Sequence, residues 1–291
     1  MMAKTWTTLE LLKTTTEFFA GKGLPAARLA AERLLAHAWE CRRVDLYLRT
    51  EQEVDAAVLD AYRGLVRAYA AGQPMQYVMG ETEFMGLPFT VDRRVLIPRP
   101  ETELLVDAVV KRLRPAAETI PPTILELGTG SGAIAVALAS QLPSAEIWAT
   151  DTSPDAAQVA AHNVRRNGVE DRVHVLVMDR FEGLSPDLAG AMRCIVSNPP
   201  YVTASEMAEL PPVVRDHEPH RALHGGPEGL DFYRYLCSEG LRFLSPGGIL
   251  ALEIGAGQGA VVTAMCRDAG LQEIVLSQDY AGLDRIVIAH K

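Results

Sequence analysis

The 291-residue sequence predicts an α/β chain: a small helical domain, a β-hairpin, and a seven-stranded sheet with helices on its faces. Three observations support this. Residues 7 to about 72 are rich in Ala and Leu at helical spacing, and residues 82–91 alternate with period two. From Thr123 onward, short apolar runs alternate with helical patterns, as a parallel sheet covered by helices requires.

In chain order, a first helix is expected over Thr8–Ala20, with Leu9, Leu12 and Phe19 near one face, ending at Gly21 and Gly23. Pro25 suits the opening turn of a second helix carrying Leu29, Leu34, Leu35 and Ala38, and a third spans about Val54 to Ala71. No catalytic constellation falls in this bundle, so residues 1–74 are read as a partner-recognition domain, with a packing appendage as the equal alternative. Residues 75–97 are read as a hairpin linker, turning at Gly86-Leu87 between Thr82–Met85 and Pro88–Val91. The third domain is 98–291. A helix starts after Pro100, with Glu101 and Glu103 in the first turn, where the helix dipole favours acids. Pro115 to Pro122 reads as a loop. Strands are expected near 123–127, 145–150, 172–177, 193–197, 248–254, 271–277 and 284–290, with helices near 132–142, 154–167, 231–244 and 256–268. Tyr201 to Leu230, rich in Pro, Gly and His, reads as one long loop, of a length that is usually functional or disordered.

Composition narrows the function. The 48% hydrophobic, 22% charged makeup is that of an ordinary globular protein, and a net charge of −9 argues against a broad nucleic-acid footprint. Cys41, Cys194, Cys237 and Cys266 form no C-x-x-C pair and read as reduced thiols. No signal core opens the chain and no run reaches membrane-spanning length, so a soluble cytoplasmic protein is expected. His217, His220 and His224 lie close in sequence but fit no ligand spacing well, so no metal is expected.

Two stretches carry chemistry. In Ile124-Leu125-Glu126-Leu127-Gly128-Thr129-Gly130-Ser131-Gly132, a buried strand runs into a glycine turn that lets a ligand approach the backbone, and a helix follows. Asp151 ends the next strand, about twenty residues on, where an acid suits ribose hydroxyls. A dinucleotide would fit both features equally well. The G-x-G-x-G spacing favours S-adenosylmethionine, because no pyrophosphate has to rest on the helix. Asp179, after the third strand, is placed to meet an adenine amino group.

The second stretch, Ser197-Asn198-Pro199-Pro200-Tyr201, follows a short apolar strand. Its prolines donate no hydrogen bond and hold Asn198 extended, so the Asn198 side-chain oxygen and a neighbouring carbonyl can accept both hydrogens of one planar NH2 group. Tyr201 adds a flat face. Taken alone, the tetrapeptide reads equally well as a strand followed by a Pro-Pro turn.

Together these pieces resemble the protein-(glutamine-N5) methyltransferases that modify peptide-chain release factors (the HemK/PrmC family). The resemblance runs through Phe84-Met85-Gly86-Leu87-Pro88-Phe89, Val95-Leu96-Ile97-Pro98-Arg99-Pro100-Glu101-Thr102-Glu103, the glycine turn with Ala133-Ile134-Ala135, and Asn198-Pro199-Pro200-Tyr201. It continues in Glu218-Pro219, Ala222-Leu223, Gly225-Gly226, Gly229-Leu230, Leu252-Glu253-Ile254-Gly255 and Gln258-Gly259. It implies a Rossmann-like methyltransferase domain that uses S-adenosylmethionine, with cofactor contacts by Gly128, Thr129, Gly130, Ser131, Gly132, Asp151 and Asn198. Substrate contacts fall to Asn198, Pro199, Pro200 and Tyr201, with Asn198 and Pro199 catalytic. Many relatives carry Trp where Arg180 stands here, so an Arg plane would have to replace an adenine-stacking indole. Glu101 and Glu103, supported by Arg99, are expected to help close the cofactor site. The implied substrate is the glutamine of a Gly-Gly-Gln loop in a release factor, met by a monomer without nucleic acid or membrane. Three function classes stand: this protein-glutamine methyltransferase (or its sister group acting on a ribosomal protein), a DNA adenine N6-methyltransferase sharing Asn-Pro-Pro-Tyr, and a non-catalytic binding module on the same fold.

Overall fold

The computed structural model describes residues 5–117 and 120–291. The chain divides into two compact units, one comprising residues up to Gly80 with Pro212–His217, the other Glu81–Pro211 with Glu218–Lys291. The first unit is built from α1 (Thr8–Gly21), α2 (Ala27–Ala38), α3 (Ala56–Ala70) and the short α4 (Met75–Met79), with a 3-10 turn at Arg43–Leu48. Thr7 starts α1 with a reciprocal cap: its hydroxyl accepts from the Glu10 N–H, and the Glu10 carboxylate accepts from the Thr7 N–H. Leu11, Leu12, Phe19, Leu34, Leu35 and Tyr62 form the centre of this unit's own core.

The second unit opens with the antiparallel hairpin β1 (Glu81–Phe84) and β2 (Leu87–Thr90). The turn falls at Met85-Gly86, one residue earlier than expected. Both central residues have left-handed φ, 52° and 75°, the combination whose twist matches a two-residue hairpin. Phe84 and Phe89 then stand edge to face, both buried. The hairpin is not a free linker but part of this unit, tied down by the next helices.

There follow α5 (Pro100–Ala117), β3 (Thr123–Leu127), α6 (Ala133–Gln141), β4 (Glu146–Asp151), α7 (Pro154–Arg166), β5 (Val173–Val177) and β6 (Met192–Ser197). Helix α5 runs through Pro115, where a loop was expected; a proline in the last turn forfeits only one terminal hydrogen bond. Residues 118 and 119 of that expected loop lie outside the described residues. After β6, the stretch expected as one long loop holds α8 (Ala204–Glu209), α9 (Pro212–Arg215) and a 3-10 turn at His220–Ala222. Thr203 and Glu206 nucleate α8 by the same reciprocal cap as α1. The chain ends with α10 (Asp231–Phe243), β7 (Leu244–Glu253), α11 (Gly259–Asp268), β8 (Gln272–Gln278) and β9 (Asp284–His290).

The seven strands lie in the order β5-β4-β3-β6-β7-β9-β8. Pairs from β5 to β7 are parallel, whereas β9 inserts antiparallel between β7 and β8. Burial on both faces explains the unbroken apolar runs of the central strands: Ile124, Leu125, Leu127, Cys194, Ile195 and Val196 have no exposed surface. The strand order reverses between β3 and β6, and in open α/β sheets that crevice, beyond the carboxyl ends, is where ligands bind. The glycine turn follows β3 and Asn198 follows β6, so topology brings the two chemical stretches together. All four cysteines are free thiols.

Candidate active site

At the carboxyl end of β3, the Gly128 and Thr129 N–H groups donate to the Thr150 carbonyl at 2.9 and 2.8 Å, folding the turn back across β4. Gly128, Gly130 and Gly132 have φ of 75°, 55° and 82°. Asp151 braces this turn: one carboxylate oxygen accepts from the Gly130 N–H and the other from the Ser153 N–H, both at 2.9 Å. Each oxygen keeps a further lone pair for a ligand hydroxyl.

Two cavities flank the turn. The larger encloses about 730 Å3 when its open mouth is counted. Its walls include Leu96, Gly128, Gly130, Asp151, Met178 and Phe232, and Arg180, Asn198 and Pro200 reach it. The smaller is lined by Leu96, Arg99, Thr102, Glu126, Thr129, Ser131 and Asn198, and shares Leu96, Gly128, Gly130 and Asn198 with the larger.

Glu126 is the carboxylate of the smaller cavity. Its Oε2 accepts from the Thr129 hydroxyl at 2.7 Å and the Ala135 N–H at 3.1 Å, while Oε1 is buried with no partner. Burial pushes its pKa up to about 8, against those two hydrogen bonds, which pull it down. A buried carboxylate with one oxygen unused suits a cationic donor.

Asn198 lines both cavities, and its Nδ2 donates to the Thr102 hydroxyl at 3.1 Å. That hydroxyl donates in turn to Oε2 of buried Glu253 at 2.6 Å. Burial raises the Glu253 carboxyl to about 7, opposed by Thr102 and by the Arg285 guanidinium. The backbone after Asn198 is clamped. Gln258 donates from its amide to the carbonyls of Tyr201 (3.2 Å) and Gly229 (3.1 Å), and the Val202 N–H donates to the Leu223 carbonyl at 2.8 Å. A Cβ at Gly225 would lie 2.5 Å from the Pro200 carbonyl oxygen, and one at Gly229 would lie 2.1 Å from that of Tyr201. These glycines let two backbones touch.

Several expected site residues stand elsewhere. Gly132 lines neither cavity; a Cβ there would press on Ala160 at 3.3 Å, so it serves the packing of α6 on α7. Asp179 is half-exposed, paired with Arg180 at 3.1 Å, and absent from both linings. Arg180 does reach the larger cavity, with its guanidinium 4.5 Å from the Tyr235 ring centre. Pro199 is buried at the strand end, and Tyr201 packs on the core and lines neither of these two cavities. Glu101 and Glu103 line neither cavity; Glu103 accepts from the Met85 N–H at 2.7 Å and pins the hairpin turn. Arg99 lines the smaller cavity and is held by buried Glu218 at 2.6 Å. Glu126, Thr102 and Glu253 were not among the expected site residues; only their burial and their partners reveal them. Among the described residues, no three His, Cys, Asp or Glu side chains are grouped to hold a metal.

Residues 10–80 match the PrmC N-terminal domain and residues 100–210 the methyltransferase small domain. The fold resembles a methyltransferase from Pyrococcus furiosus (TM-score 0.50, 20% identity, covering 71% of this chain and 90% of that one). It also resembles the hMettl16 catalytic domain in complex with a MAT2A 3′UTR hairpin (TM-score 0.57, 17% identity, 76% and 80%). Fold and site together define a Rossmann-like methyltransferase domain. The chain is 40% identical over 288 residues to the release factor glutamine methyltransferase of Rhodopirellula baltica, covering 98% of this chain and 97% of that one. To the protein of the same name from Moorella thermoacetica it is 44% identical over 274 residues, 94% of each. The chain belongs to the release factor glutamine methyltransferase family.

Proposed function

We propose that the protein transfers a methyl group from S-adenosylmethionine to the side-chain amide nitrogen (N5) of the glutamine in the Gly-Gly-Gln loop of peptide-chain release factors. It would act in the cytoplasm, as a monomer, on the machinery of translation termination. The observation that carries this reading is Asn198, which reaches both cavities from the end of β6, beside the glycine turn.

The residues present suit the cofactor. Asp151 has lone pairs left for ribose hydroxyls, and the unused Oε1 of Glu126 suits an ammonium. Leu96, Met178 and Phe232 give the larger cavity apolar walls for a base, with the Arg180 plane beside them. When bound, S-adenosylmethionine supplies a methyl on a positively charged sulfur that departs as a neutral thioether.

The chain's own part is orientation. An amide nitrogen is a poor nucleophile because its lone pair is delocalised into the carbonyl. The Asn198 Oδ1 and the Pro199 carbonyl would accept its two hydrogens and aim the nitrogen at the methyl carbon. Those same dipoles favour the positive charge that develops on nitrogen as the bond forms. One N–H proton turns acidic only then, so no base is needed beforehand. Pro199 and Pro200 contribute no donors of their own. The first unit, 1–74 in the sequence reading, would grip the release factor.

Incubation with a labelled methyl donor and either release factor or duplex DNA tests this. Label should enter the release factor, with peptide mass spectrometry placing one added methyl on the glutamine after Gly-Gly. Label in DNA adenine, or none in protein, would overturn the reading.

A further inference from the structure

We propose that Thr102 and Glu253 are positioning residues that hold the Asn198 carboxamide with its oxygen turned toward the methyl-accepting nitrogen. This rests on the function proposed above. The three side chains come from the first turn of α5, the end of β7 and the end of β6, and they form one chain of hydrogen bonds. Asn198 Nδ2 lies 3.1 Å from Thr102 Oγ1, which lies 2.6 Å from Glu253 Oε2.

Proton counting sets the direction of this chain. An ionised carboxylate only accepts, so the single Thr102 proton must point at Glu253. The Thr102 oxygen then turns a lone pair to Asn198, which must answer with its NH2. Oδ1 is thereby left on the far side, free to accept.

Without such a constraint nothing in shape would choose between the two faces of the amide. Oxygen and NH2 are nearly equal in size, and rotation about the terminal bond is broad and two-fold. A reversed Asn198 would oppose its own NH2 to the substrate NH2, donor against donor, and half the grip would be lost. Thr102 and Glu253 are both buried, so water does not readily replace either partner.

The device is sensitive to the Glu253 proton. A protonated Glu253 can donate to Thr102, and the Thr102 hydroxyl can then donate to Oδ1, so the reversed amide is equally well satisfied. The groups that act on this carboxyl are the Thr102 hydroxyl, the Arg285 guanidinium from β9 and the Asn198 amide, all of which favour the ion, and Glu101 from α5, which opposes it. The Tyr201 and Tyr233 phenols also feel its charge, and both are pushed upward, by burial first and by Glu253 in part. With the carboxyl held near 7, turnover should rise with pH through that region and level off above it.

The test is steady-state kinetics on a release factor, together with binding of S-adenosylhomocysteine by calorimetry, for wild type, Thr102→Val, Thr102→Ser and Glu253→Gln. Thr102→Val should lose about tenfold or more in kcat, the scale for a displaced reacting group. KM and S-adenosylhomocysteine affinity should hold, and Thr102→Ser, which keeps the hydroxyl, should recover most of the loss. Added to Asn198→Ala, Thr102→Val should cost nothing further. The rise of kcat around pH 7 should be present in wild type, which needs no variant to fold, and absent in Glu253→Gln. Unchanged kcat in Thr102→Val, a flat wild-type profile, or a further loss in the double variant would each overturn the positioning role while leaving the function standing. Wild-type protein that methylates no release factor overturns the function, and the positioning role with it.

Discussion

Asn198 and Glu126 line one cavity and have opposite histories in the sequence. Asn198→Ala should lower kcat by about two decades or more, the scale for a lost preorganised hydrogen-bonding group, while S-adenosylhomocysteine affinity stays within a few-fold; initial rates and calorimetry check both. For Glu126, burial raises the folded-state pKa to about 8 from an ordinary 4.5. The free protein therefore gains from this group fully below about pH 4.5 and loses that gain as pH rises through 8. Glu126→Gln should flatten that fall in thermal scans from pH 5 to 8. A bound ammonium should also expel the proton, so calorimetry near pH 7.5, repeated in buffers of different ionisation enthalpy, should show proton release in wild type and none in Glu126→Gln. Gly128, Gly130, Asp151 and Asn198 could be singled out in the sequence by their motifs, and all four line the larger cavity. Glu126 could not, because a lone acid inside an apolar strand names no partner, and only the fold shows its carboxylate buried beside the glycine turn. Thr102 was hidden between two acids that drew attention to the helix dipole.

The elements owe their placement to a few long-range ties. Asn163 on α7 is fully buried; it accepts from the Thr90 N–H and donates to the carbonyls of Thr90 and Ser131, joining hairpin, helix and glycine turn. Asn163→Ala should destabilise by roughly 2–4 kcal/mol, because it strands one buried and two partly buried backbone groups; urea unfolding gives the number. Gly229→Ala should be worse for activity than for folding. Its Cβ would collide with the Tyr201 carbonyl and its φ of 70° disfavours any side chain, so the clamp behind Asn198 should open and kcat should drop tenfold or more, on the scale of a misplaced reacting group. Strand and helix positions on the sheet were legible to within a few residues. The register of the hairpin turn was not, since Met85 gives no hint of a left-handed backbone. Helix α8 could have been found from Thr203 and Glu206, three apart, but the surrounding prolines and glycines masked that cue.

At the scale of the whole molecule, strand order decides where chemistry can occur. Seven strands were legible; their order was not, because nothing local in Asp284–His290 says that it slips antiparallel between its two predecessors. S-adenosylhomocysteine at about a hundred times its dissociation constant should stabilise by roughly 2.7 kcal/mol and lift the melting temperature by several degrees. A scan with and without the compound checks it.

The paired prolines after Asn198 have one more consequence. A strand end that projects only lone pairs is blind to anything that brings lone pairs of its own. Glutamine that has hydrolysed to glutamate presents oxygens to oxygens there, and sites built on hydrogen-bond complementarity reject such a mismatch by factors of order ten thousand. A release factor aged by deamidation should therefore go unmarked, and competition between intact and deamidated loops should show the damaged one neither modified nor inhibitory.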